Sequence, residues 1–253
     1  MKIIVPILGG KDSTCCLLLA IKKVGKDNVL PVFNDTGWEH PETYKYLKYL
    51  EERLKVKIYK TKGRNILNKK HKGQNIPDLI RSYGRFPAGR VRFYTQLLKQ
   101  ESLRDWYKKN IFNPEKKYEI WFGMRKVESW QRRKKYEKYT HYDTYSIIDM
   151  FPGVYNKKLS ATIAVRLPII EFETNTVFNF LQKNNVKKNP LYDEGTNDRV
   201  GCYPCLLAGK KKQAAMFATD FGKKQLEIIK KLEIEIGKKY EMFDTGYKEN
   251  LPS

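Results

Sequence analysis

Gly9-Gly10-Lys11-Asp12-Ser13-Thr14 follows directly on the apolar run Ile3-Ile4-Val5-Pro6-Ile7-Leu8 and opens a helix with Cys16, Leu17, Leu19, Ala20 and Val24 inward. The chemistry such a turn offers is anion binding. Two glycines allow positive φ and bring no Cβ against a ligand. The first amides of a helix have no carbonyl partner within it and lie at the positive end of its dipole. Lys11 adds an ammonium, Ser13 and Thr14 add hydroxyl donors, and Asp12 is placed to help hold Mg2+ carried by phosphates. The spacing differs from the Walker A loop and from the G-x-G-x-x-G dinucleotide turn. An ordinary Gly-containing strand–helix turn is the alternative reading.

Further candidates close other apolar runs. Asn34-Asp35-Thr36-Gly37 ends the run 29–33, where a carboxylate near a ribose and adenine over the strand end are expected. A helix start rich in capping residues fits those residues equally well. After the run 118–122 comes Gly123-Met124-Arg125-Lys126-Val127-Glu128-Ser129-Trp130-Gln131-Arg132. There Gly123 permits close approach of a ligand, Arg125 and Arg132 can grip phosphate bidentately, and Glu128 can hold an arginine or a metal. A solvated, salt-bridged turn is the alternative. Arg92 and Lys99 are candidate phosphate contacts or plain surface charges. Cys202-Tyr203-Pro204-Cys205 has spacing for zinc, an iron–sulfur cluster or a reversible dithiol.

These residues are positioned by alternating strand and helix patterns. Strands are expected over 3–8, 29–33, 56–59 and 118–122, and helices over 13–24, 41–54, 76–81, 94–109, 174–184 and 213–239. A β-α-β-α-β order implies a parallel sheet with right-handed crossovers, whose ligands sit beyond the carboxyl ends of the strands. The stretch 134–161 reads as loop or extended insertion. We expect a nucleotide-binding α/β domain over 1–170 and a helical C-terminal region over 171–253 that carries the Cys-x-x-Cys.

Composition narrows the class. The 253 residues are 41% hydrophobic, enough for a real core. No apolar run reaches the ~20 residues of a membrane span, and no leader pattern opens the chain. A soluble cytoplasmic protein without membrane contact is expected. Fifty basic against 28 acidic side chains give a formal charge of +22. The charge clusters at Lys69-Lys70-His71-Lys72, Arg132-Arg133-Lys134-Lys135 and Lys210-Lys211-Lys212, which suits tRNA or DNA as a partner; a Lys-rich genome composition is the bland explanation.

Gly9-Gly10-Lys11-Asp12-Ser13 resembles the pyrophosphate (PP) loop of the ATP pyrophosphatases, usually Ser-Gly-Gly-Lys-Asp-Ser, with Leu8 in place of the leading Ser. The order of the later segments resembles the phosphoadenosine phosphosulfate reductase-like group of that superfamily. It matches in Asp35-Thr36-Gly37 with Pro41-Glu42-Thr43, in the helix start from Arg92 to Lys99, and in Gly123 to Arg132. It matches again in Asn189-Pro190-Leu191-Tyr192 followed by Gly195 and Arg199-Val200-Gly201-Cys202-Tyr203-Pro204-Cys205. The resemblance implies a Rossmann-like parallel sheet of the adenine nucleotide alpha hydrolase type, with a helical C-terminal extension. Relatives with a four-iron cluster also use a Cys on the helix where Tyr94 stands here. Cys202 and Cys205 are therefore an incomplete ligand set. A homodimer shares ligands, metal is held incompletely, or the pair is structural.

Two reactions use such a scaffold, as the resemblance implies. One cleaves ATP to AMP and pyrophosphate and adenylylates an acceptor for sulfur or nitrogen transfer. The other is sulfonucleotide reduction or a sulfotransferase-type activity, through a C-terminal cysteine. Lys11 suits a pyrophosphate leaving group, and no Cys follows Cys205. ATP cleavage is expected, with Lys11, Asp12, Ser13, Arg125 and Arg132 as the reacting set. A non-catalytic nucleic-acid-binding module on the same fold is the rival from another class.

Overall fold

The computed structural model describes residues 1–63, 73–87, 93–193 and 199–237. The opening run forms β1 (Lys2–Ile7), with Ile3, Val5 and Ile7 in one core and Ile4 in the other, as the two-residue period of a strand requires. Parallel to β1 lie β2 (Val29–Asp35) on one side and β4 (Tyr118–Trp121) on the other. Beyond β2 comes β3 (Tyr59–Lys62), and beyond β4 come β6 (Ile163–Arg166) and the antiparallel edge strand β5 (Thr144–Ser146). The sheet order is β3-β2-β1-β4-β6-β5. This is the mostly parallel, Rossmann-like sheet that the residue patterns and the resemblance imply.

Helices α1 (Lys11–Val24), α2 (Pro41–Leu54), α3 (Ile76–Tyr83), α4 (Ser102–Asn110) and α5 (Trp130–Lys135) follow in chain order. After them come α6 (Ile147–Met150), α7 (Lys157–Ser160), α8 (Thr174–Lys183), α9 (Lys210–Ala218) and α10 (Asp220–Glu235). Both sheet faces are covered, the usual condition for a parallel sheet. Leu17, Leu50, Val177 and Leu181 from α1, α2 and α8 pack on Ile3, Val5 and Ile7. Tyr107, Ile147 and Leu159 pack on Ile4, Ile120 and Val165. A third core joins Trp38, Leu79, Ile80 and Leu98 to Phe217, Ile229 and Leu232 of the last two helices. Each fully buried aliphatic or aromatic side chain contributes about 1.5–3 kcal/mol. α8 thus shares a core with α1 across the boundary expected at residue 170.

Several elements differ from expectation. β3 begins at Tyr59, three residues after the anticipated start, because Val56 and Ile58 are buried before the chain joins the ladder. The stretch 134–161 forms β5, α6 and α7, elements of three or four residues, too short to display a period. The helix expected over 94–109 opens with a wide π turn, Thr95–Glu101. The tail breaks at Thr219, whose hydroxyl accepts from Gly222 N–H at 3.0 Å and so starts α10. Residues 238 and 239 of that expected helix lie outside the described residues. No helix among the described residues is long and apolar enough to cross a membrane.

β1 lies between β2 and β4, so the winding of the sheet reverses there. The loops after β1 and β4 face each other across the carboxyl edge, where a ligand crevice forms in this architecture.

Candidate active site

Gly9 takes φ +72, and an added Cβ would stand 3.0 Å from Thr43 Cγ2 and 3.5 Å from Asn189 Nδ2, so the turn after β1 requires glycine. Gly10 caps α1 without a side-chain hydrogen bond. The Ser13 hydroxyl donates to Gly10 O at 3.1 Å and accepts from Leu8 N–H at 3.3 Å, while Thr14 Oγ1 donates to Gly10 O at 2.9 Å. These bonds shape the turn from within. One amide departs from the expected open set: Lys11 N–H donates to the Tyr192 hydroxyl at 2.9 Å. Among the described residues, the N–H groups of Gly9, Gly10, Asp12 and Ser13 make no hydrogen bond. Asn189 Nδ2 donates to Gly9 O at 3.1 Å, and Tyr192 and Val200 stand against Gly10, so these three residues roof the turn.

Charge is concentrated on one side of this seat. The Lys11 side chain is 3% exposed, with Nζ 3.5 Å from Asp12 Oδ2 and over the rings of Tyr192 and Phe178. Burial pushes its pKa down, Asp12 opposes this, and Arg125 adds to it. Arg125 Nε donates to Asp12 Oδ1 at 2.7 Å, and its Nη1 donates to Phe172 O and Thr174 Oγ1 at 3.2 Å each. Arg125 therefore clips α1 to the ends of β4 and α8 and is not the phosphate grip expected of it. Asp12, expected beside magnesium, instead has both carboxylate oxygens on cations.

Glu128 holds arginines. It pairs with Arg132, accepts from Arg125 N–H at 3.1 Å, and lies 3.2 Å from Arg199 Nε. Burial, then the neighbouring Arg199, pushes the Arg132 pKa down. The room at Gly123 is taken by the protein itself: a Cβ there would meet Asp12 C at 2.8 Å and Ser13 N at 3.0 Å. Its glycine lets β4 approach α1, where contact with a ligand was expected.

A cavity of about 330 Å³ opens between these groups, lined among others by Leu8, Gly10, Ser13, Asn34, Lys99, Gly123, Arg132 and Arg199. Its far wall is apolar, from Leu103, Phe122, Met124 and Phe151. Asn34 alone of the set 34–37 lines it, and the Asn34 side-chain oxygen is buried with no hydrogen-bond partner. Asp35 instead accepts from Gly37 N–H and from the Tyr44 hydroxyl. Arg92 and the run 69–72 lie outside the described residues. Asn189, Tyr192 and Arg199 also belong to the site, and their polar side chains shortly before the Gly201-Cys202 turn are the sequence signal for it.

Thr36 leads to a second cluster. Its hydroxyl donates to Glu39 Oε1 at 2.6 Å and lies 3.6 Å from Cys202 Sγ, while Glu39 Oε2 accepts from Thr36 and Trp38 N–H at 3.1 Å each. Glu39 and Cys202 form an isolated antiparallel bridge. Burial pushes the Cys202 thiol up, and the Lys99 ammonium opposes this. Tyr94, at the position where the resemblance expects a helix cysteine, is pushed up to about 12 by burial, then by Cys202 and Cys205. Among the described residues no three His, Cys, Asp or Glu side chains are grouped to hold a metal. The donor set does not fit a four-ligand cluster, and no step below uses one.

Comparison with known proteins adds to this geometry. The chain is 32% identical over 259 residues to an uncharacterized 37.8 kDa protein of Escherichia phage 186, covering 85% of this chain and 70% of that one. An uncharacterized protein of Methanocaldococcus jannaschii is 32% identical, with 80% of this chain covering 36% of its length. Phosphoadenosine 5'-phosphosulfate reductase of Cronobacter sakazakii is 23% identical over 74% of this chain and 63% of its own. In fold, the chain is similar to a crystal structure of phosphoadenylyl-sulfate reductase from Candida auris in a phosphate complex. The TM-score is 0.54 at 16% identity, over 81% of this chain and 83% of that one. The profile of the phosphoadenosine phosphosulfate reductase domain matches residues 2–208. The chain belongs to the phosphoadenosine phosphosulfate reductase domain family.

Proposed function

We propose that this chain is a PP-loop enzyme that cleaves ATP between its α and β phosphates and adenylylates an acceptor. One observation carries this reading. Beside the cavity Lys11, Arg125, Arg132 and Arg199 crowd around Asp12 and Glu128, next to the Gly10, Asp12 and Ser13 amides that open α1. Crowded, half-desolvated cations over open helix amides favour a multiply charged anion, and pyrophosphate matches that demand.

In this mechanism an acceptor oxygen attacks the α phosphorus, the inner anhydride bond breaks, and pyrophosphate leaves with the bonding electrons. Gly10 to Ser13 hold the departing group, Lys11, Arg132 and Arg199 stabilise its charge, and Asp12 with Arg125 fixes Lys11. Such preorganised donors are typically worth ~10²–10³ in rate each. Asn34 offers its unpartnered oxygen to the adenine amino group, and the apolar wall covers the ring. Among the described residues the carboxylates lining the cavity are Asp12 and Glu128, and both are paired with cations, leaving neither for magnesium. No step here depends on one. The acceptor we infer is a nucleic acid, from the net charge of +22.

Sulfonucleotide reduction is the second reading, favoured by the family itself. Against it, burial holds the Cys15, Cys16 and Cys202 thiols above their ordinary range, the opposite of what a nucleophilic thiolate needs. The test is pyrophosphate release from α-labelled ATP by the wild type and by Lys11→Ala. A release that Lys11→Ala abolishes supports cleavage; background release in both leaves a binding module. Sulfite formed from phosphoadenosine phosphosulfate and a thiol, faster than with Cys205→Ser, supports the reductase.

A further inference from the structure

Trp130 is 69% exposed, whereas the other three tryptophans, Trp38, Trp106 and Trp121, are 1%, 8% and 3% exposed. It opens α5, which Ser129 caps by accepting Arg132 N–H at 3.2 Å. At 3.6 residues per turn, Trp130 and Lys134 share one face and Arg132 takes the opposite one. The contacts agree: Lys134 Nζ stands 5.4 Å from the Trp130 ring centroid, while Arg132 turns to Glu128 and the cavity. Lys134 stands by the ring, Arg133, Lys135 and Lys138 are exposed along the same segment, and Glu137 is the single acid in 129–138. One short helix therefore serves the cavity on one side and carries an aromatic plane among cations on the other.

We propose that this outer face is a stacking subsite for an unpaired base of a single-stranded nucleic acid, with Arg133, Lys134 and Lys135 on the flanking phosphates. It rests on the reading that the acceptor is a nucleic acid. A helix with its side chains is about 10 Å across, so a base on Trp130 is not the reacting nucleotide. It belongs to a neighbour along the strand, and Trp130 acts as a positioning residue. Base–aromatic stacking needs no sequence, and the exposed basic run 133–135 gives the partner its charge complement.

The experiment titrates the protein with short oligothymidylate, oligouridylate and inorganic polyphosphate, reading tryptophan emission and the anisotropy of labelled oligonucleotide. Both oligonucleotides should quench the exposed tryptophan and polyphosphate should not. Stronger binding of one oligonucleotide then identifies RNA or DNA as the source. Trp130→Ala should weaken oligonucleotide binding about tenfold, and Trp130→Phe should restore most of it. Lys134→Glu should reduce the salt slope by about one. Equal affinity of wild type and Trp130→Ala, or equal quenching by polyphosphate, overturns the proposal. Pyrophosphate release with water as the acceptor should be the same in wild type and Trp130→Ala. Oligonucleotide stacking without pyrophosphate release, to water or to oligonucleotide, sinks the ATP-cleaving reading alone, and release with an indifferent Trp130 sinks this inference alone.

Discussion

Arg125 Nε lies 2.7 Å from Asp12 Oδ1 and joins the end of β4 to the first turn of α1 at the reversal of the sheet. Both partners are shielded, so removing Arg125 leaves the Asp12 charge with only the longer Lys11 contact, at a cost of up to about 3–5 kcal/mol. Arg125→Met should lower the melting temperature strongly, and Asp12→Asn with Arg125→Met should recover part of the loss. A double variant no more stable than the sum of its parts would show the two side chains to be uncoupled.

Gly123→Ala places a methyl 2.8 Å from the Asp12 carbonyl carbon, and backbone does not yield as a flexible side chain would. The first turn of α1 should shift away from β4. Nucleotide affinity should fall at least tenfold, while the apolar cores keep the protein folded by circular dichroism. Unchanged affinity, measured by calorimetry, would contradict the close approach described here.

Lys11 carries a stability cost that a ligand relieves. Its folded pKa is lowered by burial, so between that value and the usual lysine value the unfolded chain binds the proton that the folded chain refuses. Stability is therefore lost as pH falls through this window and is not regained at neutral pH. Lys11→Met should melt no lower than the wild type at neutral pH and lose pyrophosphate release by ~10²–10³. An anion raises the Lys11 pKa, so nucleotide affinity should weaken as pH rises through the same window, and Lys11→Arg should flatten the profile. A clear drop in the melting temperature of Lys11→Met would refute the assigned cost.

Cys202 should react slowly with iodoacetamide at neutral pH, because burial raises its pKa and only Lys99 and the Thr36 hydroxyl oppose this. Lys99→Met should move the pH midpoint of Cys202 alkylation, followed by peptide mass spectrometry, to higher pH. A midpoint that moves down or stays would show that the ammonium does not face the thiol.

Much of the fold is legible because β1 and β2 are continuous apolar runs buried on both faces, while α1 and α2 each bury a long periodic face. β5 and α6 are not, since three or four residues cannot display a period and their place depends on β6. At the site, the glycine turn and the basic segment after β4 are visible as residue types. Their division of labour is not. That Arg125 turns inward while Arg132 faces the cavity follows from which carboxylate each meets, and those partners are 113 and 4 residues away. Tyr192 and Asn189 act on the turn across 181 and 180 residues, which no local pattern encodes.

That long reach sets an order of events when the protein is made. The Gly9 carbonyl and the Lys11 amide wait for Asn189 and Tyr192, so the seat stays unfinished until most of the chain has left the ribosome. A nascent fragment that stops short of Asn189 carries every glycine of the turn yet lacks the groups that fix its shape. Capture of nucleotide thereby waits for residues synthesised some 180 positions after the turn itself.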